Sequence, residues 1–197
     1  MKNVGLYFII SEAHSKNGSI TDANSAMKAG AKVIHYSDKK SRKRQVLENA
    51  YVLAALCKKN NVLFIVEDYP DIAALVGADG VYLTQSDFSV EHVRRIMGEE
   101  KYIGVQFATL RDAVYAEEHG ANYICLGNPE TSCRATLSTM KKMKELLTMP
   151  IITLGTFTLS HVEEFLRAGA DGIAVAPYLY QEQDLNEMIS VMQHESL

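Results

Sequence analysis

The chain has few of the residues that cross-link small secreted proteins, span membranes or bind nucleic acids. Its 197 residues include no tryptophan, only four prolines and only three cysteines, and the net charge is −4. Cys57, Cys125 and Cys133 are an odd number without C-x-x-C spacing, which predicts reduced thiols in a cytoplasmic protein rather than a disulfide framework. The acidic net charge gives no reason to expect nucleic acid as a partner.

The apolar run near the amino end is too short to cross a membrane. It covers residues 4–10, whereas a membrane-spanning helix needs about 20 apolar residues. We therefore expect this run to form a first strand, and we expect no membrane partner. With 47% hydrophobic and 22% charged residues, and no linker or low-complexity tract, the chain is expected to form a single domain over residues 1–197.

Glycine, in contrast, recurs at a regular interval before apolar runs. Gly30, Gly77, Gly120 and Gly169 are separated by 47, 43 and 49 residues, and an alanine follows each of them. A glycine just past a helix adopts the left-handed conformation that ends the helix, so the apolar run can begin as a buried parallel strand. Each interval contains a helical pattern, a short strand and a second helical pattern. Four such units predict an α/β protein with the fold of a compact (β/α)8 TIM barrel of eight parallel strands.

The apolar runs predict the strands, and capping residues predict where several helices begin. Strands are expected near residues 4–10, 32–36, 62–66, 80–84, 102–106, 122–126, 150–154 and 172–176. Helices are expected to start at Thr21, Ser89, Thr109 and Thr158, with a last helix near residues 184–193. In such a barrel, functional residues follow the carboxyl ends of the strands.

Charged residues follow strands two, three and four. Lys39 comes after strand two, Glu67 and Asp68 after strand three, and Asp87 after strand four. Carboxylate oxygens of this kind suit Mg²⁺, which completes its shell with water and substrate phosphate. Alternatively, Asp68 and Asp87 cap the helices that follow them, which requires no metal. The sequence leaves both interpretations open, and one does not exclude the other.

Strands seven and eight end beside a predicted phosphate site. Gly155 and Thr156 follow strand seven, and Val175 and Ala176 end strand eight, where many barrels bind phosphate through backbone N–H groups. The alternative is that Gly155 only permits a turn. The basic cluster over residues 39–44 is either a solvated loop or a source of positive charge for a phosphate.

Two segments resemble a known family, the thiamin phosphate synthase and TenI group of compact barrels. Residues 64–68 spell F-I-V-E-D and residues 74–87 spell A-L-V-G-A-D-G-V-Y-L-T-Q-S-D. They are similar to the family's F-I-I-N-D and A-V-G-A-D-G-V-H-L-G-Q-x-D. In the synthase, a Mg²⁺-bound pyrimidine pyrophosphate ionises and a thiazole phosphate captures its carbocation. By position, the resemblance implies that Asp68 and Asp87 hold the metal and that Lys39 meets the pyrophosphate.

The chain departs from the synthase at four substrate-binding positions. The family's Q-L-R-E-K after strand two is H-Y-S-D-K here, so His35 replaces a glutamine and Ser37 an arginine. Glu67 replaces an asparagine, and Gln106 replaces a serine after strand five. In addition, Thr156 replaces the second glycine of the phosphate site.

The loop after strand six differs most from the synthase. Residues 127–134 spell G-N-P-E-T-S-C-R, which is similar to the G-H-V-F-E-T-D-C-K of TenI-like thiazole tautomerases. The histidine of that motif is Asn128 here, and an amide has no titratable nitrogen for general base catalysis. Arg134 stands near the position of the synthase's missing lysine. Lys39, Asn128 and Arg134 are therefore the candidate catalytic positions.

The resemblance implies a protein that binds a phosphorylated thiazole or a thiamin-related ligand, with reduced or absent catalytic activity. If the chain is an enzyme, it is a synthase-like transferase or a TenI-like tautomerase. One alternative is a working Mg²⁺-dependent synthase whose pyrophosphate site is rebuilt from Lys40, Arg42 or Arg134. Another is a non-catalytic regulatory barrel that binds a small phosphorylated heterocycle. The sequence leaves open whether the chain forms a homo-oligomer.

Overall fold

Eight parallel strands close into a barrel in the order β1 to β8, as the glycine repeat predicts. The computed structural model describes residues 1–2, 4–15, 17–84, 88–106, 109–127, 133–176, 187–188 and 190–191. The strands are β1 Gly5–Ser11, β2 Val33–Ser37, β3 Leu63–Glu67, β4 Gly80–Leu83, β5 Tyr102–Gln106, β6 Tyr123–Leu126, β7 Ile151–Leu154 and β8 Gly172–Val175. Each lies within one residue of its predicted bounds, and the (β/α)8 prediction is confirmed.

Seven helices are defined in the described part of the chain. They are α1 Ser19–Lys28, α2 Lys43–Lys59, α3 Pro70–Val76, α4 Val90–Met97, α5 Leu110–Glu118, α6 Cys133–Leu146 and α7 Leu159–Arg167. The last predicted helix, near residues 184–193, lies mostly outside the described residues. Within that part of the chain, no helix is both long enough and apolar enough to cross a membrane.

The glycine repeat has the backbone conformation that the sequence predicts. Gly30, Gly77, Gly120 and Gly169 have φ angles of 96°, 68°, 95° and 92°, which lie in the left-handed region. Each glycine therefore ends one helix and turns the chain toward the next strand.

The polar residue two positions after three of these glycines stabilises the neighbouring strand. The side chain of Asp79 accepts a hydrogen bond of 2.8 Å from the backbone N–H of Phe64 in β3. Asn122 likewise accepts from Ile103 in β5 at 2.7 Å, and Asp171 accepts from Ile151 in β7 at 3.0 Å. The repeated Gly-Ala-Asp/Asn pattern thus fixes adjacent strands in register at the amino end of the barrel.

Three of the four predicted helix starts are confirmed, because Ser89, Thr109 and Thr158 directly precede α4, α5 and α7. Ser89 accepts from the N–H of His92 before α4, and Thr109 forms a capping box with Asp112 before α5. The start predicted at Thr21 is wrong, because α1 begins two residues earlier, at Ser19. There the carbonyl oxygen of Gly18 accepts from the N–H of Thr21 at 3.0 Å, which places Thr21 inside the first turn.

The interior of the barrel contains phenol rings as well as aliphatic side chains. Tyr7, Tyr82 and Tyr123 point inward together with Val33, Ile65 and Ile152, and all are buried. The ring of Tyr123 lies over Gly104 on β5, where an added Cβ would be 2.1 Å from Cζ of the ring. Glycine at position 104 thus makes room for a tyrosine inside the barrel. These rings lie in the barrel interior beneath the carboxyl ends of the strands.

Candidate ligand site at the carboxyl ends of the strands

A cavity of about 410 Å³ opens at the carboxyl ends of the strands. Six of the predicted site residues line it: His35, Ser37, Lys39, Glu67, Gln106 and Ala176. Apolar contact surface comes from Ile9, Tyr82 and Leu154. A cavity with an apolar floor and a few convergent polar groups is the usual form of a small-molecule site.

Lys39, Glu67, Asp68 and Thr84 form a compact polar cluster at one edge of this cavity. The Nζ atom of Lys39 lies 2.8 Å from Oε1 of Glu67 and 3.1 Å from Oδ2 of Asp68. It also donates to the hydroxyl oxygen of Thr84 at 3.3 Å. Burial lowers the pKa of Lys39, but hydrogen bonds and charges from Glu67 and Asp68 outweigh burial and raise it. The ammonium is therefore charged and paired at neutral pH.

Glu67 is also held from below by a chain of buried aromatic groups. Its Oε2 atom lies 2.9 Å from Nε2 of His35, and Nδ1 of His35 lies 3.1 Å from the hydroxyl of Tyr7. The Tyr7 hydroxyl in turn lies 3.0 Å from that of Tyr123. Burial would raise the pKa of Glu67, but His35 and Lys39 outweigh burial and lower it to about 2. Glu67 is therefore a fixed negative charge whose two oxygens both have partners.

Asp68 is oriented by a left-handed backbone and by Thr84. Its φ of 56° is uncommon for a residue with a side chain and turns the carboxylate back toward the end of β4. There Oδ1 accepts from the N–H of Thr84 at 2.7 Å, and Oδ2 accepts from the Thr84 hydroxyl. The carboxylate of Asp68 thus joins β3 to β4 at the cavity edge.

Protein donors occupy most of the acceptor positions of Asp68, and the other predicted metal ligand, Asp87, lies outside the described residues. A carboxylate offers about four acceptor positions, and Asp68 already uses three of them for Thr84 and Lys39. A metal ligated by Oδ2 would also have to displace the charged Lys39 ammonium. Among the residues that the structure describes, no group of three or more histidine, cysteine or acidic residues has the geometry of a metal site.

Tyr82 and Cys125 lie in the barrel interior. The two side chains share a hydrogen bond, and burial raises the pKa of Cys125 to about 12. A thiol with so high a pKa is a poor nucleophile at neutral pH. Cys125 therefore contributes to packing.

Of the other predicted site residues, some lie at the ends of β7 and β8, and the rest are not described or lack a described side chain. Gly155 is buried and Thr156 exposed at the end of β7, and the side chain of Val175 packs in the core outside the barrel. The predicted phosphate role of Val175 concerns its backbone. Asp87 and Asn128 lie outside the described residues. Arg134 belongs to α6, but its side chain is not among those described.

The sequence did not single out several of the residues that shape this cavity. Tyr7 and Tyr123 lie at inward positions of β1 and β6, and Thr84 organises Asp68. Strict alternation along the strands could have placed both tyrosines inside the barrel, because residues of one strand alternate between its faces. Lys40, named only as a substitute cation, lines the cavity beside Lys39.

Comparisons with known proteins show which family the chain belongs to. The chain matches the family described as Thiamine monophosphate synthase over residues 6–178. It is 34% identical to "Thiamine-phosphate synthase" of Halalkalibacterium halodurans, with 94% of this chain and 92% of the relative covered. It is 33% identical to the protein of the same name from Shouchella clausii, with the same coverage.

A solved structure shares both the fold and part of the sequence. "Thiamine phosphate pyrophosphorylase from Pyrococcus furiosus" superposes with a TM-score of 0.86 and 26% identity, covering 98% of each chain. Together with the family match over most of the barrel, this defines the class as a (β/α)8 barrel protein. The chain belongs to the thiamine monophosphate synthase family.

Proposed function

We propose that this chain binds a phosphorylated thiazole or a thiamin-related ligand in the cavity, and that its thiamin phosphate synthase activity is low. The observation that carries the proposal is the pairing of Lys39 with Glu67 and Asp68 at 2.8 Å and 3.1 Å. Lys39 is the cation that the family resemblance assigns to the pyrophosphate. Here the carboxylates of Glu67 and Asp68 balance its positive charge before any ligand binds.

Two other differences from the family motifs also disfavour a leaving pyrophosphate, because both make the site less positive. A leaving pyrophosphate must have its developing negative charge met by fixed donors. Ser37 lines the cavity where the family has an arginine, and Glu67 adds a negative charge where the family has an asparagine. Removing a single such donor commonly slows a reaction about 100-fold to 1,000-fold.

The ligand is proposed to span the cavity from the polar cluster to the ends of β7 and β8. Its phosphate would accept from backbone N–H groups near Gly155, Thr156, Val175 and Ala176, away from Glu67 and Asp68. Its ring would lie over the apolar floor made by Ile9, Tyr82 and Leu154, with Gln106 as a polar contact.

A thermal-shift panel tests this placement. We expect thiazole phosphate, thiazole carboxylate phosphate or thiamin phosphate to raise the melting temperature, because a ligand that binds only the folded chain stabilises it. The unphosphorylated thiazole alcohol is the control and should give a much smaller shift. Gly155→Val should abolish the shift, because a β-branched side chain blocks the approach of the phosphate to the backbone. Retained stabilisation in that variant would show that the placement is wrong.

A second candidate is a working synthase with a rebuilt pyrophosphate site. The observation in its favour is Lys40, which lines the cavity beside Lys39, together with 34% identity to a relative named as a synthase. Arg134 is the other candidate replacement. This alternative predicts thiamin phosphate formation that is lost in Lys40→Ala or Arg134→Ala, whereas a binding protein shows ligand-induced stabilisation without turnover.

A further inference from the structure

We propose that Lys39 is a built-in cation whose ammonium occupies the position between Glu67 and Asp68 and keeps a divalent metal out of it. This edge of the cavity then accepts neither metal nor pyrophosphate, and the site selects ligands with a single phosphate. The selectivity rests on the proposed function, because it concerns the same cavity. The position of Lys39 between the two carboxylates stands on the geometry alone.

The ammonium of Lys39 is fully coordinated by protein oxygens. A lysine ammonium has three N–H donors, and three oxygens surround Nζ: Oε1 of Glu67 at 2.8 Å, Oδ2 of Asp68 at 3.1 Å and the Thr84 hydroxyl at 3.3 Å. The side chain is 53% exposed, so solvent and ligands can reach it. Nevertheless, an anion could bind Nζ only by replacing one of these three partners.

The oxygens around the ammonium are themselves fixed in place. His35 holds the second oxygen of Glu67 at 2.9 Å, and Thr84 holds Asp68 through both its backbone N–H and its hydroxyl. Neither carboxylate can turn away from Lys39 without losing a partly buried hydrogen bond, which is costly. The position is therefore built for a cation, and Lys39 supplies that cation from within the chain.

The net charge of Lys39, Glu67 and Asp68 determines which anions bind at this edge of the cavity. The carboxylates of Glu67 and Asp68 and the ammonium of Lys39 together carry one excess negative charge. A pyrophosphate placed there would be repelled, because close charges in a partly buried site interact strongly. A ligand with one phosphate avoids the repulsion by placing that group at the ends of β7 and β8.

Manganese binding to the full chain tests the proposal without any thiazole or thiamin compound. Mn²⁺ affinity is measured by electron paramagnetic resonance for the native chain, Lys39→Met and Lys40→Met. Lys40 lines the same cavity, so its variant reports the general effect of removing one positive charge. We expect Lys39→Met to bind Mn²⁺ about 10-fold or more tightly than both other proteins, because it frees the position between the carboxylates. Lys39→Gln, which keeps polar contacts but lacks the charge, replaces Lys39→Met if the latter does not fold.

Equal Mn²⁺ affinity in the Lys39 and Lys40 variants would overturn the proposal. The selectivity has its own measurement, the melting temperature of the native chain with Mg²⁺ and pyrophosphate. We expect no stabilisation there, and a shift as large as that given by thiamin phosphate would overturn the claim of selectivity. Because the Mn²⁺ experiment contains no organic ligand, its failure is distinguishable from a failure of the proposed function.

Discussion

His35 and Glu67, two positions at which the chain departs from the family motifs, are hydrogen-bonded to each other at 2.9 Å. The family has a glutamine and an asparagine at these positions. A buried glutamate needs a donor or a positive charge beside it, and His35 provides the donor from the neighbouring strand. The two departures are therefore complementary, and they connect the polar cluster at the cavity edge to Tyr7 and Tyr123 in the barrel interior.

Replacing His35 should destabilise the barrel. We expect His35→Leu to reduce the free energy of unfolding by about 2 kcal/mol or more, because Glu67 loses its buried donor. Tyr7→Phe should cost about 1 kcal/mol, the usual net worth of one hydrogen bond. Urea denaturation of both single variants and the double variant measures the coupling between them. Strictly additive effects would show that the two side chains do not act as one chain of hydrogen bonds.

Gly104→Ala should lower the free energy of unfolding substantially only when residue 123 is a tyrosine. The added Cβ would lie 2.1 Å from Cζ of the Tyr123 ring, so the ring must move within a packed interior. We expect Gly104→Ala to cost about 2–3 kcal/mol in the native background. In a Tyr123→Leu background the same substitution should cost less than about 1 kcal/mol, because a leucine does not reach that position. Similar costs in the two backgrounds would disprove the steric explanation.

Glu117 should make stability depend on pH in the acid range. Its Oε1 accepts from the N–H and hydroxyl of Thr148 at 2.8 Å and 2.6 Å, and from the N–H of Met149 at 2.8 Å. Burial raises the pKa of Glu117, but these hydrogen bonds outweigh it and lower the pKa. A group whose pKa is lower in the folded chain stabilises the fold above its unfolded pKa, and this contribution disappears as the pH falls through the folded pKa.

We therefore expect Glu117→Ala to destabilise the chain by about 1–2 kcal/mol at pH 7 and by much less in strong acid. Denaturant unfolding at several pH values measures this difference. Glu118→Ala, at an exposed position on the same helix, is the control and should have little effect at any pH. A destabilisation by Glu117→Ala that does not change with pH would contradict the assignment.

The fold was predictable from the sequence because its signal is local and repeated. Gly77 and Gly120 end helices through their own backbone conformation, and the short apolar runs that follow them have the length of buried strands. The start of α1 was not predictable in the same way. Thr21 looks like a cap, but the carbonyl oxygen of Gly18 begins the helix before it.

The sequence predicts which residues line the site but not which side chains contact one another. Residues at strand ends were placed at the cavity by topology alone, and Lys39, Glu67 and Gln106 do line it. The pairing of Lys39 with Glu67 instead depends on side-chain conformations and on a third residue, His35, which lies 32 positions from Glu67 along the chain. Spacing carries no information about such contacts, because strand ends that are distant in sequence meet only in the folded barrel.

The most direct test of the central claim is the rate of thiamin phosphate formation from both substrates with Mg²⁺. The native chain and its Arg134→Ala variant are compared with the relative from Halalkalibacterium halodurans that is named thiamine-phosphate synthase. We predict that the native chain is at least about 100-fold slower than that relative, because Lys39 is neutralised and the arginine is replaced by Ser37. Turnover close to that of the relative, and lost in Arg134→Ala, would contradict this account and show that the pyrophosphate site has been rebuilt.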